Sequence, residues 1–270
     1  MSQEIDDTKR QVAVASRMLA DLGFATGILA SLGHASMRVP NQTDRFVMKG
    51  RGYAVDVLAE MQPEDMIVCD LDAFLVDGPA GSSQPEEVKL HSAIYRARPD
   101  VGAVVHLHPR FTVVMSVLES TLLPMCNEGA LLVRDPLPVF PHSRLILSDE
   151  DGNEVAERLS DGKAIILRGH GAATVGESLA EAVTTMLQLE EQARMNWYAY
   201  CAAGPDHAGI PTEDVDEWHA RYATRFELPH LSGPLARRGA NETSPGQPGG
   251  VWAYYARRAA REMDAAASGR

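Results

Sequence analysis

The stretch that most constrains this chain is a short apolar run that ends in two histidines and a proline. Residues 101–105 are apolar apart from one glycine, and they lead into His106, His108 and Pro109. This composition predicts a buried β-strand, which Pro109 ends because it cannot donate a ladder hydrogen bond. Alternation puts His106 and His108 on one face, about 7 Å apart. The pair is typical of a metal site or of two hydrogen-bonded core histidines.

The composition argues against several classes of protein. The chain has 270 residues, of which 45% are hydrophobic, and a formal net charge of −12 with scattered lysines and arginines. This pattern does not favour nucleic acid or an anionic membrane as a partner. Cys69, Cys126 and Cys201 form no C-x-x-C pair, so we expect a reducing, cytoplasmic environment. The acidic first residues do not resemble a secretory signal, and no apolar run approaches the roughly 20 residues of a membrane span.

Periodicity and turn residues predict an alternation of helices and strands. Helices are expected to end at Gly23 and before Pro99, and one is expected to begin behind Pro85. Residues 204–250 hold much of the proline and glycine and are expected to form an irregular arm. We predict helices over 8–22, 25–32, 86–98, 111–118, 178–201 and 251–267, a helix through residues 155 and 159, and strands over 35–39, 45–48, 66–70, 101–108 and 164–167.

A third histidine and a glutamate complete a candidate metal site. His170 follows a second buried strand and lies between two glycines, which suit a tight backbone close to a ligand. Three neutral imidazoles that leave positions open are the minimum for a catalytic metal. Glu87 lies one helical turn before His91, where a carboxylate beside a metal is a natural acid/base or exchangeable ligand. Taken alone, Glu87 is also typical of a solvated residue that the helix dipole stabilises.

Several short motifs along the chain, taken together, resemble one family. They are GHASMR (33–38), PED (63–65) with CD (69–70), EVKLH (87–91), RPD (98–100), HLHP (106–109) and RGHG (168–171). The chain resembles the class II aldolase and adducin family over about residues 10–205. The resemblance implies an α/β fold with a central, mostly antiparallel sheet covered by helices in three layers. It also implies a homotetramer, or a multiple of one, with active sites at subunit interfaces.

The resemblance also assigns roles to residues and domains. By matching positions, His106, His108 and His170 would be the metal ligands and Glu87 the catalytic acid/base. Residues 1–205 would form the catalytic domain. Residues 206–270 would form a C-terminal arm and a helix that packs on this domain or on a neighbouring subunit. The ligands do not decide which metal binds, because three imidazoles suit Zn²⁺ whereas a carboxylate and an oxygen-rich substrate suit Mn²⁺.

The departures from the sugar-phosphate aldolases of this family indicate a different substrate. His34 replaces the asparagine of their first phosphate loop, and residues 48–52 and 84–86 replace their other phosphate-binding loops. Lys49 and Arg51 would suit a carboxylate instead, although they are also typical of an exposed hairpin end. The chain looks most like the family's decarboxylases of hydroxylated aromatic dicarboxylates. Within that branch it resembles those acting on 3-hydroxy-2-methylpyridine-4,5-dicarboxylate in vitamin B6 degradation, and a dihydroxyphthalate decarboxylase would look very similar.

The remaining assignments are hypotheses about the substrate and about alternatives. Lys49, Arg51 or Arg168 would hold the second carboxylate of the aromatic substrate. His34 and His91 are further candidates for proton transfer or substrate contact, and hydrogen-bonded structural histidines are the alternative. The chain could instead be an aldolase for a non-phosphorylated hydroxy-keto acid, or a non-catalytic, adducin-like assembly module. Retention of all three histidines and Glu87 argues against the assembly module.

Overall fold

The centre of the molecule is an open sheet of eight strands, in a computed structural model that describes residues 3–237 and 250–268. The strands are β1 (His34–Val39), β2 (Gln42–Lys49), β3 (Met66–Asp70), β4 (Leu75–Asp77), β5 (Ala103–Leu107), β6 (Val139–Phe140), β7 (Ala164–Leu167) and β8 (Gly171–Gly176). Their order across the sheet is β4-β3-β2-β1-β5-β8-β7-β6. Neighbouring strands run antiparallel, except that β6 and β7 are parallel. The predicted, mostly antiparallel sheet is therefore confirmed.

Helices cover both faces of this sheet. They are α1 (Gln3–Asp21), α2 (Val88–Ala97), α3 (Arg110–Val117), α4 (Asp149–Leu159), α5 (Leu179–Ala203), α6 (Thr212–Ala223), α7 (Pro229–Arg237) and α8 (Gly250–Ser268). Apolar residues of α1, α5 and α8 form a core with one face of the sheet. Apolar residues of α2 and α4 form a second core with the other face. This confirms the predicted three-layer α/β arrangement.

The alternation of side chains along β5 decides which core each residue joins. Val105 lies in the core under α1 and α5, whereas Val104 lies in the core under α2 and α4. Because strand side chains alternate between faces, His106 shares its face with Val104. This places the His106 ring on the side of the sheet that α2 covers.

Strand register brings three separate parts of the chain to one end of the sheet. His34, the first residue of β1, lies opposite His106 near the end of β5. On the other side of β5, His106 lies opposite Ala173 in β8. Since β5 runs antiparallel to both neighbours, its end meets the start of each of them. The turn before β8, which contains His170, therefore lies beside the end of β5.

The predicted irregular arm over 204–250 is wrong for most of the part that the structure describes. Helices α6 and α7 occupy much of it, and residues 238–249 lie outside the described residues. Glu213 and Asp214 lie in the first turn of α6 behind Pro211, which favours a helix start. The proline and glycine content of the arm outweighed this local signal. Strand β8 was not predicted because glycine and alanine have low strand propensity.

The last helix packs on the first one. In α8, Ala259 and Met263 are buried in the core that contains α1. Arg10 of α1 also donates a hydrogen bond of 2.9 Å to Asp264. Within the described residues, no helix combines the length and apolarity needed to cross a membrane.

Candidate metal centre

His106 is held by the backbone of the neighbouring strand. Its side chain is fully buried, and its Nδ1 lies 3.0 Å from the carbonyl oxygen of Ala172 in β8. A carbonyl oxygen can only accept, so Nδ1 carries the hydrogen. This contact fixes the ring and leaves Nε2 to face Glu87 Oε2, 3.2 Å away. Metal-bound histidines usually have such a partner on their other ring nitrogen.

Glycine allows His108 and His170 to approach this ring. A Cβ on Gly171 would lie 2.3 Å from the Leu107 carbonyl oxygen and 3.0 Å from His108 Cδ2. Any side chain there would separate β8 from the end of β5. Gly169 has φ +65°, a conformation that favours glycine, and it turns the chain into His170. The ring centroids of His108 and His170 consequently lie 4.9 Å apart.

Glu87 is aimed into the group of histidines. Its Oε1 accepts a hydrogen bond of 3.0 Å from the Ile146 amide, and its Oε2 lies 3.3 Å from His170 Nε2. It stands just before α2, which begins at Val88, so the predicted start of this helix at residue 86 was early. The solvated alternative is wrong, because Glu87 is buried. Burial raises its pKa, but the opposing contributions of His106 and His170 are larger and bring it below the ordinary value.

The four side chains fit a divalent cation. Glu87, His106, His108 and His170 each offer one ligand atom, and these atoms lie within 4.8 Å of one another. His108 Nε2 is buried and has no hydrogen-bond partner among the described residues. Burial first, and then His106 and His170, lower the pKa of His108 to about 3. Neutral imidazole nitrogens and one carboxylate form a ligand set that Zn²⁺ and Mn²⁺ accept.

A second group of polar side chains lies behind the candidate ligands. His34 Nδ1 and His91 Nε2 are 2.7 Å apart, and His91 Nδ1 is 2.7 Å from Ser36 Oγ. Ser36 Oγ lies in turn 2.8 Å from the Tyr95 hydroxyl. Burial, and then His106, lowers the pKa of His91 to about 3. Burial, followed by His91 and His106, holds the pKa of His34 well below its ordinary value. Both rings are therefore neutral.

The cations expected to hold a carboxylate already share one from within the chain. Lys49 Nζ lies 2.5 Å from Asp56 Oδ1 and 3.3 Å from the Ser31 carbonyl oxygen. Arg51 Nη1 lies 3.3 Å from the other oxygen of Asp56. Lys49 is fully buried, so the exposed-hairpin alternative is wrong for it. Burial lowers the pKa of its ammonium group, and that group contributes to the lowered pKa of His34.

Arg168 lies two residues before His170 but pairs outwards. Its Nη1 lies 2.7 Å from Glu119 Oε1, and both side chains are more than one-third exposed. Its Nε is buried without a hydrogen-bond partner among the described residues. The structure thus brings Glu87, His106, His108 and His170 together. It places His34 and His91 directly behind them and leaves Arg168 paired with Glu119.

One supporting residue escaped the sequence interpretation entirely. Glu190 of α5 accepts hydrogen bonds of 3.0 Å from the Phe111 and Thr112 amides and one of 2.9 Å from Thr112 Oγ1. It thereby anchors the start of α3, two residues after His108. Burial raises the pKa of Glu190, and these hydrogen bonds, which lower it, offset only part of the rise. No local signal could have revealed this role, because almost 80 residues separate the partners.

Comparison with known proteins gives one family and related decarboxylases. Residues 10–197 match the family described as class II aldolase and adducin N-terminal domain. The chain is 31% identical over 265 residues to 3,4-dihydroxyphthalate decarboxylase of Rhodococcus jostii, covering 95% of this chain and 98% of that protein. It is 29% identical over 238 residues to the enzyme of the same name from Arthrobacter keyseri, covering 83% and 94%.

Solved structures agree on the fold. An aldolase II superfamily protein from Pseudomonas syringae superposes with a TM-score of 0.76, over 97% of this chain and 95% of that chain. The two sequences are 22% identical, so this likeness concerns the arrangement of strands and helices and not the reaction.

Proposed function

Because this chain belongs to the class II aldolase and adducin family, we propose that it is a metal-dependent decarboxylase of a hydroxylated aromatic dicarboxylate. Two relatives that match over most of the chain are named 3,4-dihydroxyphthalate decarboxylase. The observation that carries the proposal is the buried carboxylate of Glu87 directed at two of three clustered imidazoles. A buried carboxylate is costly unless paired, and a non-catalytic assembly module would have no need of this group.

Two substrates share the pattern that this site would recognise. In 3,4-dihydroxyphthalate and in 3-hydroxy-2-methylpyridine-4,5-dicarboxylate, a hydroxyl, a carboxylate and a second carboxylate occupy three consecutive ring carbons. The names of the relatives favour the benzene compound, whereas motif resemblance favours the pyridine compound. In both, the central carboxylate would leave as CO₂ and the outer one would be retained.

His106, His108 and His170 would hold Mn²⁺ or Zn²⁺, with Glu87 beside them. When bound, such an ion supplies Lewis-acid polarisation of the hydroxyl and central carboxylate. The buried rings and Glu87 would exclude water from the reacting carbon, since these four side chains are at most intermediate in exposure.

Glu87 would move the proton. Its carboxylate would accept the proton of the substrate hydroxyl at Oε2, while the Ile146 amide donates to Oε1. Glu87 would then deliver this proton to the ring carbon that carries the central carboxylate. Breaking the bond to that carboxylate releases CO₂ and returns its electron pair to the ring, which regains aromaticity as the phenolate. Water then reprotonates the oxygen.

Lys49, Arg51 or Arg168 remains the proposed partner of the retained carboxylate. Arg51 has a partly exposed side chain, and its backbone pairs with Ser83 in the adjoining loop. Its partner Asp56 is shared with Lys49. A substrate carboxylate would therefore compete with Asp56 for the Arg51 guanidinium. Lys49, which binds the other oxygen of Asp56, would keep this pair oriented.

CO₂ release tests the proposal directly. The purified protein, supplied with Mn²⁺ or Zn²⁺, is expected to release CO₂ from at least one of the two dicarboxylates. Release of an aldehyde from a non-phosphorylated hydroxy-keto acid, without CO₂ from either aromatic compound, would instead establish the aldolase alternative. Activity in neither assay would refute the enzymatic proposal.

Glu87→Gln tests the role of the carboxylate. This variant is expected to lose decarboxylation while retaining metal, because the amide cannot accept the hydroxyl proton. Glu86→Gln is the matched control, since Glu86 is exposed and adjacent, and it should keep wild-type activity. Wild-type turnover by metal-bound Glu87→Gln would remove Glu87 from the mechanism.

We also propose that the protein is a cytoplasmic homotetramer, or a multiple of one. Apolar residues near the site support an interface: Val117 is 57% exposed and Leu147 is 55% exposed, and Val117 lies close to Gly169. Exposed apolar groups of this kind are frequent in subunit contacts. Light scattering of the purified chain should give the mass of four subunits or a multiple, and a monomer would contradict this proposal.

A further inference from the structure

A continuous line of hydrogen bonds runs from Tyr95 of α2 to the edge of the candidate metal centre. It joins Tyr95, Ser36, His91 and His34 through contacts of 2.7 to 2.8 Å. Ser36 and His91 are fully buried, Tyr95 is 1% exposed and His34 is 3% exposed. The His34 ring centroid lies 5.3 Å from that of His106. The line therefore ends beside a candidate metal ligand.

Burial determines the direction in which these groups donate. A buried hydroxyl hydrogen needs an acceptor, because an unsatisfied buried polar group destabilises the folded protein. The Tyr95 hydroxyl hydrogen-bonds to the Ser36 side chain, at Oγ. Among the described residues, Ser36 Oγ is the acceptor within reach of the phenol hydrogen, so Tyr95 donates to Ser36.

Each later donation follows from the first. Ser36 Oγ accepts from Tyr95, so its own hydrogen goes to His91 Nδ1. A neutral imidazole carries one hydrogen, which for His91 must then lie on Nε2 and be donated to His34 Nδ1. The hydrogen of His34 consequently lies on Nε2. That nitrogen has no hydrogen-bond partner among the residues that the structure describes.

We propose that Tyr95 and Ser36 are positioning residues that fix His91 and His34 as Nε2–H tautomers, so that His34 donates a hydrogen bond to an oxygen of the bound substrate. The donation to substrate rests on the proposed function, whereas the tautomers do not. The oxygen of the dicarboxylate's ring hydroxyl gains negative charge during decarboxylation, and a fixed donor stabilises such charge in the transition state. His34 would act as this donor and not as a base.

Neutron diffraction tests the tautomers on the intact, zinc-loaded protein. In deuterium-exchanged crystals, we expect deuterium on Nε2 of both His34 and His91, and the Ser36 deuterium directed at His91. Deuterium on Nδ1 of either ring would overturn the proposal. This measurement needs no variant and no turnover, so it decides the tautomers even if decarboxylation is not found.

Tyr95→Phe tests the consequence for catalysis. Without the phenol, Ser36 is free to accept from His91 Nδ1, and the His34 hydrogen can move to Nδ1. We expect kcat for decarboxylation of the active dicarboxylate to fall about tenfold, with KM within about twofold, because the lost donor acts mainly in the transition state.

The matched control is Tyr53→Phe. Tyr53 also donates its hydroxyl hydrogen in a partly buried contact, to the Asp65 carbonyl oxygen at 2.7 Å, but it lies outside the line. It should keep kcat near the wild-type value. Equal kcat in wild type and folded Tyr95→Phe would overturn the role of Tyr95. If Tyr95→Phe does not fold, the neutron result still decides between the tautomers.

Discussion

His91 should make the protein acid-labile in a way that one substitution can isolate. Its ring is fully buried and neutral, and burial lowers its pKa to about 3. In the unfolded chain the same ring titrates near its ordinary pKa of about 6.5. Below that pH the unfolded state binds a proton that the folded state does not bind. The contribution of His91 to stability is therefore complete above the unfolded pKa and declines as pH falls towards the folded pKa.

The magnitude follows from these two pKa values. Between about pH 7.5 and about pH 5, linkage gives a loss of about 2 kcal/mol in the free energy of unfolding for this one ring. His91→Gln retains groups that can hydrogen-bond His34 and Ser36 but does not titrate. We therefore expect the difference in free energy of unfolding between wild type and His91→Gln to decrease by about 2 kcal/mol when the pH is lowered over this interval.

Urea denaturation of the metal-stripped proteins at both pH values measures this gap. Ser92→Ala is the matched control, because it removes a neighbouring buried hydroxyl and no titrating ring. Its gap to wild type should be the same at both pH values. A gap for His91→Gln that changes by less than about 0.5 kcal/mol would refute the buried, neutral state of His91.

Two further substitutions test the supports of the site. Glu190→Gln should lower the free energy of unfolding by about 2 kcal/mol in urea titration, because one amide of α3 is left unpaired. Glu191→Gln, which removes an exposed ion pair with Arg194, should cost less than about 0.5 kcal/mol, and equal losses would contradict the anchoring role. Gly171→Ala should lower the free energy of unfolding by at least about 3 kcal/mol and weaken zinc binding, because the added Cβ would collide with the β5 backbone. Zinc affinity equal to that of wild type, measured by calorimetry, would argue against this.

Local patterns were sufficient to predict the elements that carry the candidate ligands. The apolar run before His106 and the following Pro109 indicated a buried strand, and β5 lies there. The glycines around His170 indicated a tight approach, and the contact between Gly171 and the end of β5 requires one. Both features depend on residues that are neighbours in the sequence, which is why a single sequence was enough to predict them.

Features that depend on distant contacts could not be predicted in this way. Ser36 of β1 and Tyr95 of α2 are 59 residues apart in the sequence and meet only in the folded chain. Asp56 stands in a loop without periodicity, so nothing indicated that it would occupy Lys49 and Arg51. Helix α6 was missed for a different reason, because the composition of the surrounding segment outweighed the acidic residues of its first turn.

Binding of a metal ion at the four clustered side chains is the central claim, and equilibrium dialysis with zinc or manganese tests it most directly. Wild-type protein should retain one ion per chain, and His106→Ala should lose it, because removing one imidazole opens the ligand set. Wild-type protein that retains no ion, or His106→Ala that retains one as tightly as wild type, would contradict the account.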